Sequence, residues 1–313
     1  MWRDIDPRAD ERERPEPGRG RVGGETEIEP LAKSEDPRDV FTRDLELPRG
    51  ASRDRVRANN REYRLSGDDV RVMATVGAFR VVPAADLREP NPRTPTRPAR
   101  DLERLRDLGL VRTTPYVVGR SRTNLVTLTS EGRAVLEQGR RPGAAGTPQV
   151  FYVGVAKPRE LAHDSRVFEA YMKAADHLAE RGDRVRRVVL EEELKREYQR
   201  FLQAENRARR EGGEPREAHE QAVARWAQEH QLPYEDGHVQ LPDARIEYED
   251  RDGRRAVEDI EVVTPHYRGA HAAAKARSGF TRYRAFGARL GGLRTTGRSG
   301  RGIDPRLDEE LLS

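Results

Sequence analysis

The sequence predicts a mixed α+β or α/β chain with two folded regions between charged tails. Charged residues make up 36% of the 313 residues and hydrophobic residues 35%, so part of the length is expected to be solvated. Residues 61–145 alternate helical periodicity with one β-rich pair of runs, and residues 146–290 read helix, strand, polar insert, hairpin and helix. This order predicts two adjacent domains, the second built as an α/β sandwich.

The two tails are predicted to be disordered. Residues 1–60 form a charged arm and residues 291–313 a flexible tail, because both are rich in Arg, Asp, Glu, Pro and Gly and poor in large apolar side chains. Such segments bury too little surface to offset the entropy of ordering. A short element around Asp39–Phe41 is the exception, and we expect it to dock on the body of the protein.

Composition excludes several classes of site. The chain has no cysteine, which excludes disulfides, thiolate metal sites and cysteine nucleophiles. The first residues carry no apolar segment typical of a signal peptide, and no apolar run reaches the ~20 residues of a membrane span. We therefore expect a soluble cytoplasmic protein with no membrane partner. The net charge of +4, carried mostly by arginine, permits an acidic partner without requiring one.

The first region, 61–145, is predicted to contain four helices and a hairpin. Ser66 is placed to cap a helix that runs to Phe79, and the segment VVPAADL is expected to bend into a second short helix. A third helix spans about 98–108 with leucines on one stripe, and Gly109 ends it. Two β-rich runs then flank the tip GRSR, and the last helix starts in LTSEGRAVL.

This arrangement resembles a winged helix-turn-helix domain, and LTSEGRAVL is similar to the LT-x-x-G-R-x-x-L phrase of MarR-like and related bacterial members. The resemblance implies that the third helix enters the major groove of double-stranded DNA and that the wing meets the backbone. The candidate DNA-binding residues are Arg97, Arg100 and Arg104 on the helix and Arg120 and Arg122 on the wing. The alternative is a solvated basic face on a winged helix that mediates dimerisation or protein contacts, and the acids Asp101, Glu103 and Asp107 lie among the arginines.

The second region, 146–290, begins with a helix over 158–180 and a buried strand centred on Val188–Leu190. A polar helical insert over 196–230 follows, with Trp226 as its expected anchor. Two further strands flank the Asp252-Gly253 turn and form a hairpin. Thr264 and Pro265 then predict the start of a last helix.

Pro242-Asp243, the hairpin and Glu261 together resemble the restriction-endonuclease-like PD-(D/E)XK core. The resemblance implies that Asp243 and Glu261 bind Mg²⁺, with Glu191 as a possible third acid, and that DNA phosphodiesters are hydrolysed. Val263 stands where the core carries lysine, and Lys275 on the following helix is the candidate replacement. Either Lys275 restores the site or the fold is kept without turnover. Each acid also has a structural alternative: Asp243 as a strand start and Glu191 as part of a solvated charge run.

Segments of the second region are similar to the replication-relaxation family of plasmids and integrative elements. They are LAHDSRVFEAYMKA, VRRVVLEEELKREY, PDARIEY and the pattern E-V-V-T…Y…K, which together span 150–285. The resemblance adds His163 to the candidate catalytic residues and implies a relaxase or replication initiator as partner.

The favoured hypothesis is a DNA-binding protein of a mobile element that supports replication, relaxation or mobilisation of DNA, with a nuclease-like domain whose Mg²⁺-dependent activity stays open. The alternative is a winged-helix transcriptional regulator whose second domain dimerises or senses a ligand. A homodimer is compatible with both.

Overall fold

The structure is a computed structural model of the whole chain, and it describes residues 36–87, 98–118, 121–143, 146–155, 161–212, 216–263 and 278–284. These ranges contain six α-helices, one 3-10 helix and several small sheets, which confirms the mixed α+β class. None of the helices in these ranges is long and apolar enough to cross a membrane.

The charged arm ends earlier than predicted. Residues 36–60 are folded: a 3-10 helix at Pro37–Thr42 buries Val40 and Phe41, as expected for the docking element. Strands β1 (Asp54–Ala58) and β2 (Arg61–Leu65) then pair antiparallel. Arginines at alternating positions made this segment resemble a solvated arm, while the intervening side chains of β1 and β2 are buried and supply the ordering free energy.

Helices α1 (Gly67–Phe79), α2 (Pro98–Asp107) and α3 (Ser130–Gln138) surround a three-stranded antiparallel sheet. Its order is β3 (Val82–Pro83), β5 (Ser121–Leu128), β4 (Val111–Val118). Ser66 caps α1 in a capping box with Asp69, as predicted. The prediction of a short second helix in VVPAADL is wrong for the described residues, because 81–87 form β3 and a turn.

The second region is a four-stranded mixed sheet with α4 (Leu161–Glu180) on one face. The sheet order is β11 (Thr281–Arg284), β10 (Arg255–Val263), β9 (Ala244–Glu249), β6 (Arg184–Leu190). Strands β6, β9 and β10 are antiparallel neighbours, which confirms the predicted hairpin, whereas β10 and β11 are parallel. The predicted helix after Thr264 lies outside the described residues.

The insert that follows β6 is longer than predicted. Helix α5 (Glu191–Gly212) begins directly after β6, so Glu191 starts a helix instead of ending a strand. Helix α6 (Arg216–Glu229) and a two-stranded pair, β7 (Tyr234–Glu235) and β8 (His238–Val239), follow. Trp226 anchors the insert as expected, packed near Tyr198 and Phe201 at centroid distances of 4.9 and 5.6 Å.

One hydrophobic core passes through both regions. Phe79 of α1 lies 5.1 Å from Phe168 and 4.9 Å from Tyr171 of α4, measured between ring centroids. Phe41 packs 5.5 Å from Phe79, and the Tyr171 hydroxyl donates to the Pro37 carbonyl at 2.6 Å. The two predicted domains therefore share buried aromatic side chains across the expected boundary at 145.

Candidate functional site

Helix α2 is fixed by its leucine stripe and by Arg104. Leu105 is fully buried, and Leu102 and Leu108 pack against the same core, as the spacing predicted. The Arg104 guanidinium lies against Asp69, whose side chain is 1% exposed, and its Nη1 donates to the Arg64 carbonyl at 3.0 Å. The Arg104 side chain turns inward and joins α2 to α1 and β2, and its assignment to DNA stays a prediction.

The outward face of α2 carries Arg106 instead. Its side chain is 52% exposed and donates to Asp107 Oδ1 at 3.1 Å. Of the other two arginines predicted on this helix, Arg97 lies outside the described residues, and for Arg100 only the backbone is described, in the first turn. One described arginine of the helix is thus available to an anionic partner.

The β4–β5 hairpin extends from the end of α2. Arg112 and Arg122 are exposed, and Arg122 stands opposite Val117, whose side chain is also exposed. Arg120, at the predicted tip, lies outside the described residues. The β4–β5 hairpin therefore presents two exposed arginines among its described side chains.

The phrase LTSEGR positions this hairpin. Thr129 Oγ1 accepts from the Gly132 amide at 3.0 Å and donates to the Gly109 carbonyl at 2.6 Å, so one threonine caps α3 and holds the end of α2. A Cβ at position 132 would lie 2.2 Å from the Leu110 carbonyl oxygen, which explains the glycine. The phrase supports the fold and supplies no ligand contact.

Asp243 holds three elements together. Its Oδ2 accepts from the Val262 amide of β10 at 2.7 Å and contacts His163 Nε2 of α4 at 3.1 Å. Its carbonyl accepts from the Glu191 amide at 3.1 Å, at the start of α5. The side chain is 6% exposed. Asp243 and His163 are thus brought together in a buried pair that joins α4 to the second sheet.

The two carboxylates beside His163 favour the protonated, positively charged form of this histidine. Burial by itself lowers the pKa of His163, but hydrogen bonds to Asp164 and Asp243 and their negative charges outweigh it and raise the pKa to about 10. His163 is therefore an imidazolium at neutral pH. Its charge offsets that of the buried Asp243 carboxylate, which would otherwise be costly to bury.

Glu261 is the most deeply buried acid on the sheet, with 1% of the residue exposed. It follows Ile260, the register partner of Ala244, so β10 carries it beside the start of β9 and near Asp243. Carboxylate oxygens are donors suited to Mg²⁺. Within the described ranges, however, no three His, Asp or Glu side chains form a group that could hold a metal ion, and Glu191 instead pairs with Lys195 at 2.7 Å. Lys275 lies outside the described residues.

The insert is tied to the second sheet by Arg245. Arg245 of β9 makes two hydrogen bonds to Asp259 at 2.7 and 2.8 Å and donates to the His230 and Gln231 carbonyls at 2.6 and 3.0 Å. These carbonyls follow the end of α6, so the arginine fixes the C-terminal end of the insert. The sequence indicated neither this contact nor the inward turn of Arg104, because both depend on tertiary geometry.

No protein-family model, curated protein or solved structure matches the chain.

Proposed function

We propose that the protein binds double-stranded DNA through α2 and the β4–β5 hairpin. The observation that carries the proposal is the arrangement of α1, β3, α2, β4, β5 and α3 around the sheet order β3-β5-β4, with exposed arginines on α2 and the hairpin. This order resembles that of a winged helix-turn-helix domain, in which the helix preceding the wing enters the major groove. The described residues contain one helix, α2, between β3 and the hairpin. Arg106 and Arg122 are the described side chains assigned to DNA, and Arg112 lies on the opposite face of the hairpin from Arg122.

The second sheet supports an extension of this proposal. The order α4, β6, insert, β9 and β10 supports the proposed resemblance to the restriction-endonuclease-like core, whereas the parallel strand β11 was not predicted. In the described conformation the Asp243 carboxylate accepts a hydrogen bond from the Val262 amide and contacts His163, and Glu261 is buried. We propose that this sheet acts as a rigid support for a DNA-binding protein of a mobile element and does not cleave DNA in this state.

Binding is tested by fluorescence anisotropy on labelled duplexes at several salt concentrations. Arg106→Ala/Arg122→Ala should weaken binding and make the slope of log Kobs against log salt less negative by about 0.9 for each phosphate that is no longer neutralised. Arg251→Ala/Arg254→Ala, at the exposed turn between β9 and β10, is the control that removes the same charge. Equal affinity and slope for wild type and the first variant would show that this surface is not the DNA site.

The non-cleaving state is tested on supercoiled plasmid in Mg²⁺ and in Mn²⁺. The expected result is intact plasmid at protein concentrations that saturate binding. Nicking that Asp243→Asn and Glu261→Gln both abolish would contradict the proposal and assign Mg²⁺ to these two residues. Dimeric binding to one palindromic duplex would instead favour a transcriptional regulator.

A further inference from the structure

The β1–β2 ribbon has one buried face and one arginine-rich face. Val56, Ala58, Tyr63 and Leu65 are buried against the body of the protein. The opposite face carries the exposed side chains of Arg55, Arg57 and Arg64, and Arg61 is exposed at the turn end of β2, opposite Ala58. Over residues 53–65 the sequence has five arginines and two acids, Asp54 and Glu62, so the exposed surface of the ribbon is basic.

The ribbon is held in place at both ends. Its turn, where Asn59 and Asn60 have φ values of 49° and 62°, is tied to α3 because Gln138 Nε2 donates to Asn59 Oδ1 at 2.7 Å. At the other end Arg53 pairs with Asp101 of α2 at 3.1 Å. The arginines therefore stand on a fixed strand pair, and binding costs less backbone entropy than it would on a disordered arm.

The same contacts make the ribbon continuous with α2. Besides the Arg53–Asp101 pair, Arg104 of α2 donates to the Arg64 carbonyl of β2 at 3.0 Å. A ligand that covers the outward face of α2 thus lies next to the open end of the ribbon. The ribbon extends the basic surface of α2 on the side away from the β3-β5-β4 sheet. The ribbon itself is not among the elements that carry the resemblance to a winged-helix domain.

The ribbon arginines are available to an external anion. Arg55 and Arg57 approach Glu62 at 3.4 and 3.7 Å, but their side chains are 69% and 86% exposed. Exposed ion pairs of this kind contribute little to stability, so these arginines can exchange Glu62 for a stronger anionic partner. Within the described residues the Arg61 and Arg64 side chains make no ion pair. One glutamate therefore leaves most of this positive charge uncompensated.

We propose that the β1–β2 ribbon is a second DNA-contacting element, which binds the phosphate backbone of the duplex that α2 and the wing engage. The inference rests on the proposed function. Arg55 and Arg57 are two residues apart on one strand, about 7 Å, which suits contacts to phosphates along a single DNA strand. We assign the ribbon arginines to the phosphate backbone, whose contacts fix the position of a protein on the duplex and carry no sequence information.

The test removes ribbon charge without touching the buried face. Arg55→Ala/Arg57→Ala/Arg64→Ala, three exposed arginines of the outer face, is compared with Arg251→Ala/Arg254→Ala/Arg255→Ala, three exposed arginines at or next to the β9–β10 turn. The expected result for the ribbon variant is a salt slope less negative by about 2 to 3, at about 0.9 per phosphate, with the same fold reduction in affinity on duplexes of different sequence. The control should match wild type, and both variants should keep the thermal unfolding midpoint of wild type.

The outcomes separate this inference from the proposed function. If wild type binds DNA and the Arg106/Arg122 variant weakens binding while the ribbon variant matches wild type, the ribbon is not a DNA contact and the inference is wrong. If the reduction differs strongly among sequences, the ribbon contacts bases and the backbone assignment is wrong. If wild type shows no salt-dependent binding to any duplex, the proposed function itself fails.

Discussion

The two sheets of the molecule handle charge in opposite ways. The β3-β5-β4 sheet and the adjoining β1–β2 ribbon carry arginines on exposed faces, where each guanidinium keeps its hydration and can meet an anion. The β11-β10-β9-β6 sheet buries its charge: Asp243 with His163, and Arg245 with Asp259. Exposed charge contributes little to stability and can bind, whereas buried paired charge is costly to disturb and fixes geometry. The difference supports the proposal that the first sheet and the ribbon bind DNA and that the second sheet supports them.

Since the two sheets share one hydrophobic core, we expect both to unfold together when a side chain of that core is truncated. Phe79 is 1% exposed and contacts aromatic rings on both sides of the boundary. Phe79→Ala should therefore lower the free energy of unfolding by about 3–5 kcal/mol. Urea denaturation followed by tryptophan fluorescence and by circular dichroism should give one coincident transition. Two separate transitions in wild type would show that the regions unfold independently.

The next largest expected effect on stability comes from replacing Asp243, which pairs with His163. Asp243→Ala leaves the Val262 amide and His163 without their acceptor, so we expect the unfolding free energy to fall by about 3 kcal/mol. Asp243→Asn retains a carbonyl oxygen and should be less destabilised. Both variants should keep the DNA affinity of wild type when measured well below the unfolding transition. A selective loss of DNA binding in a fully folded Asp243→Asn variant would show that the second sheet takes part in recognition.

Arg104 and Arg106 lie on the same helix and should behave in opposite ways. Arg104→Ala removes a partner of the buried Asp69, which keeps its bonds from the Ser66 amide and hydroxyl at 2.8 and 2.9 Å. The expected cost is about 1–3 kcal/mol of stability. Arg106→Ala should stay within about 0.5 kcal/mol of wild type and weaken DNA binding. The reverse pattern would overturn the inward placement of Arg104.

The smallest expected effect concerns pH. The pKa of His163 is raised from 6.5 to about 10, so its pairing with Asp243 and Asp164 contributes stability that is fully present below about pH 6.5. That contribution is lost as pH rises from about 6.5 through 10, because the unfolded state has released its proton above about 6.5 while the folded state keeps one until about 10. The imidazole NMR signal of His163 should still report the protonated form at about pH 8. A titration midpoint near 6.5, the ordinary value, would show that the pair is not formed in solution.

Local chemistry made much of the fold predictable. Ser66, the leucine stripe of α2, the Asp252-Gly253 turn and the Trp226 anchor were each identified from side-chain type and spacing. The β1–β2 ribbon was not predicted, because its high arginine content indicated a disordered segment. The alternation of arginine with apolar residues in β1 is nevertheless typical of a strand with one buried face. Arg104 shared a helical face with Arg97 and Arg100, and spacing along the helix could not indicate that Asp69 lies beneath it. The contact between His163 and Asp243, eighty residues apart, was not predicted, because no local pattern indicates it.

The central claim is that exposed arginines near α2 bind double-stranded DNA, and the salt dependence of wild-type binding tests it most directly. We predict a linear fall of log Kobs with log salt, with a slope of about −0.9 for each phosphate contacted and several such phosphates in total. Arg106→Ala/Arg122→Ala should reduce that slope, and Arg251→Ala/Arg254→Ala should leave it unchanged. A wild-type affinity that does not vary with salt, or an equal slope for all three proteins, would contradict the claim.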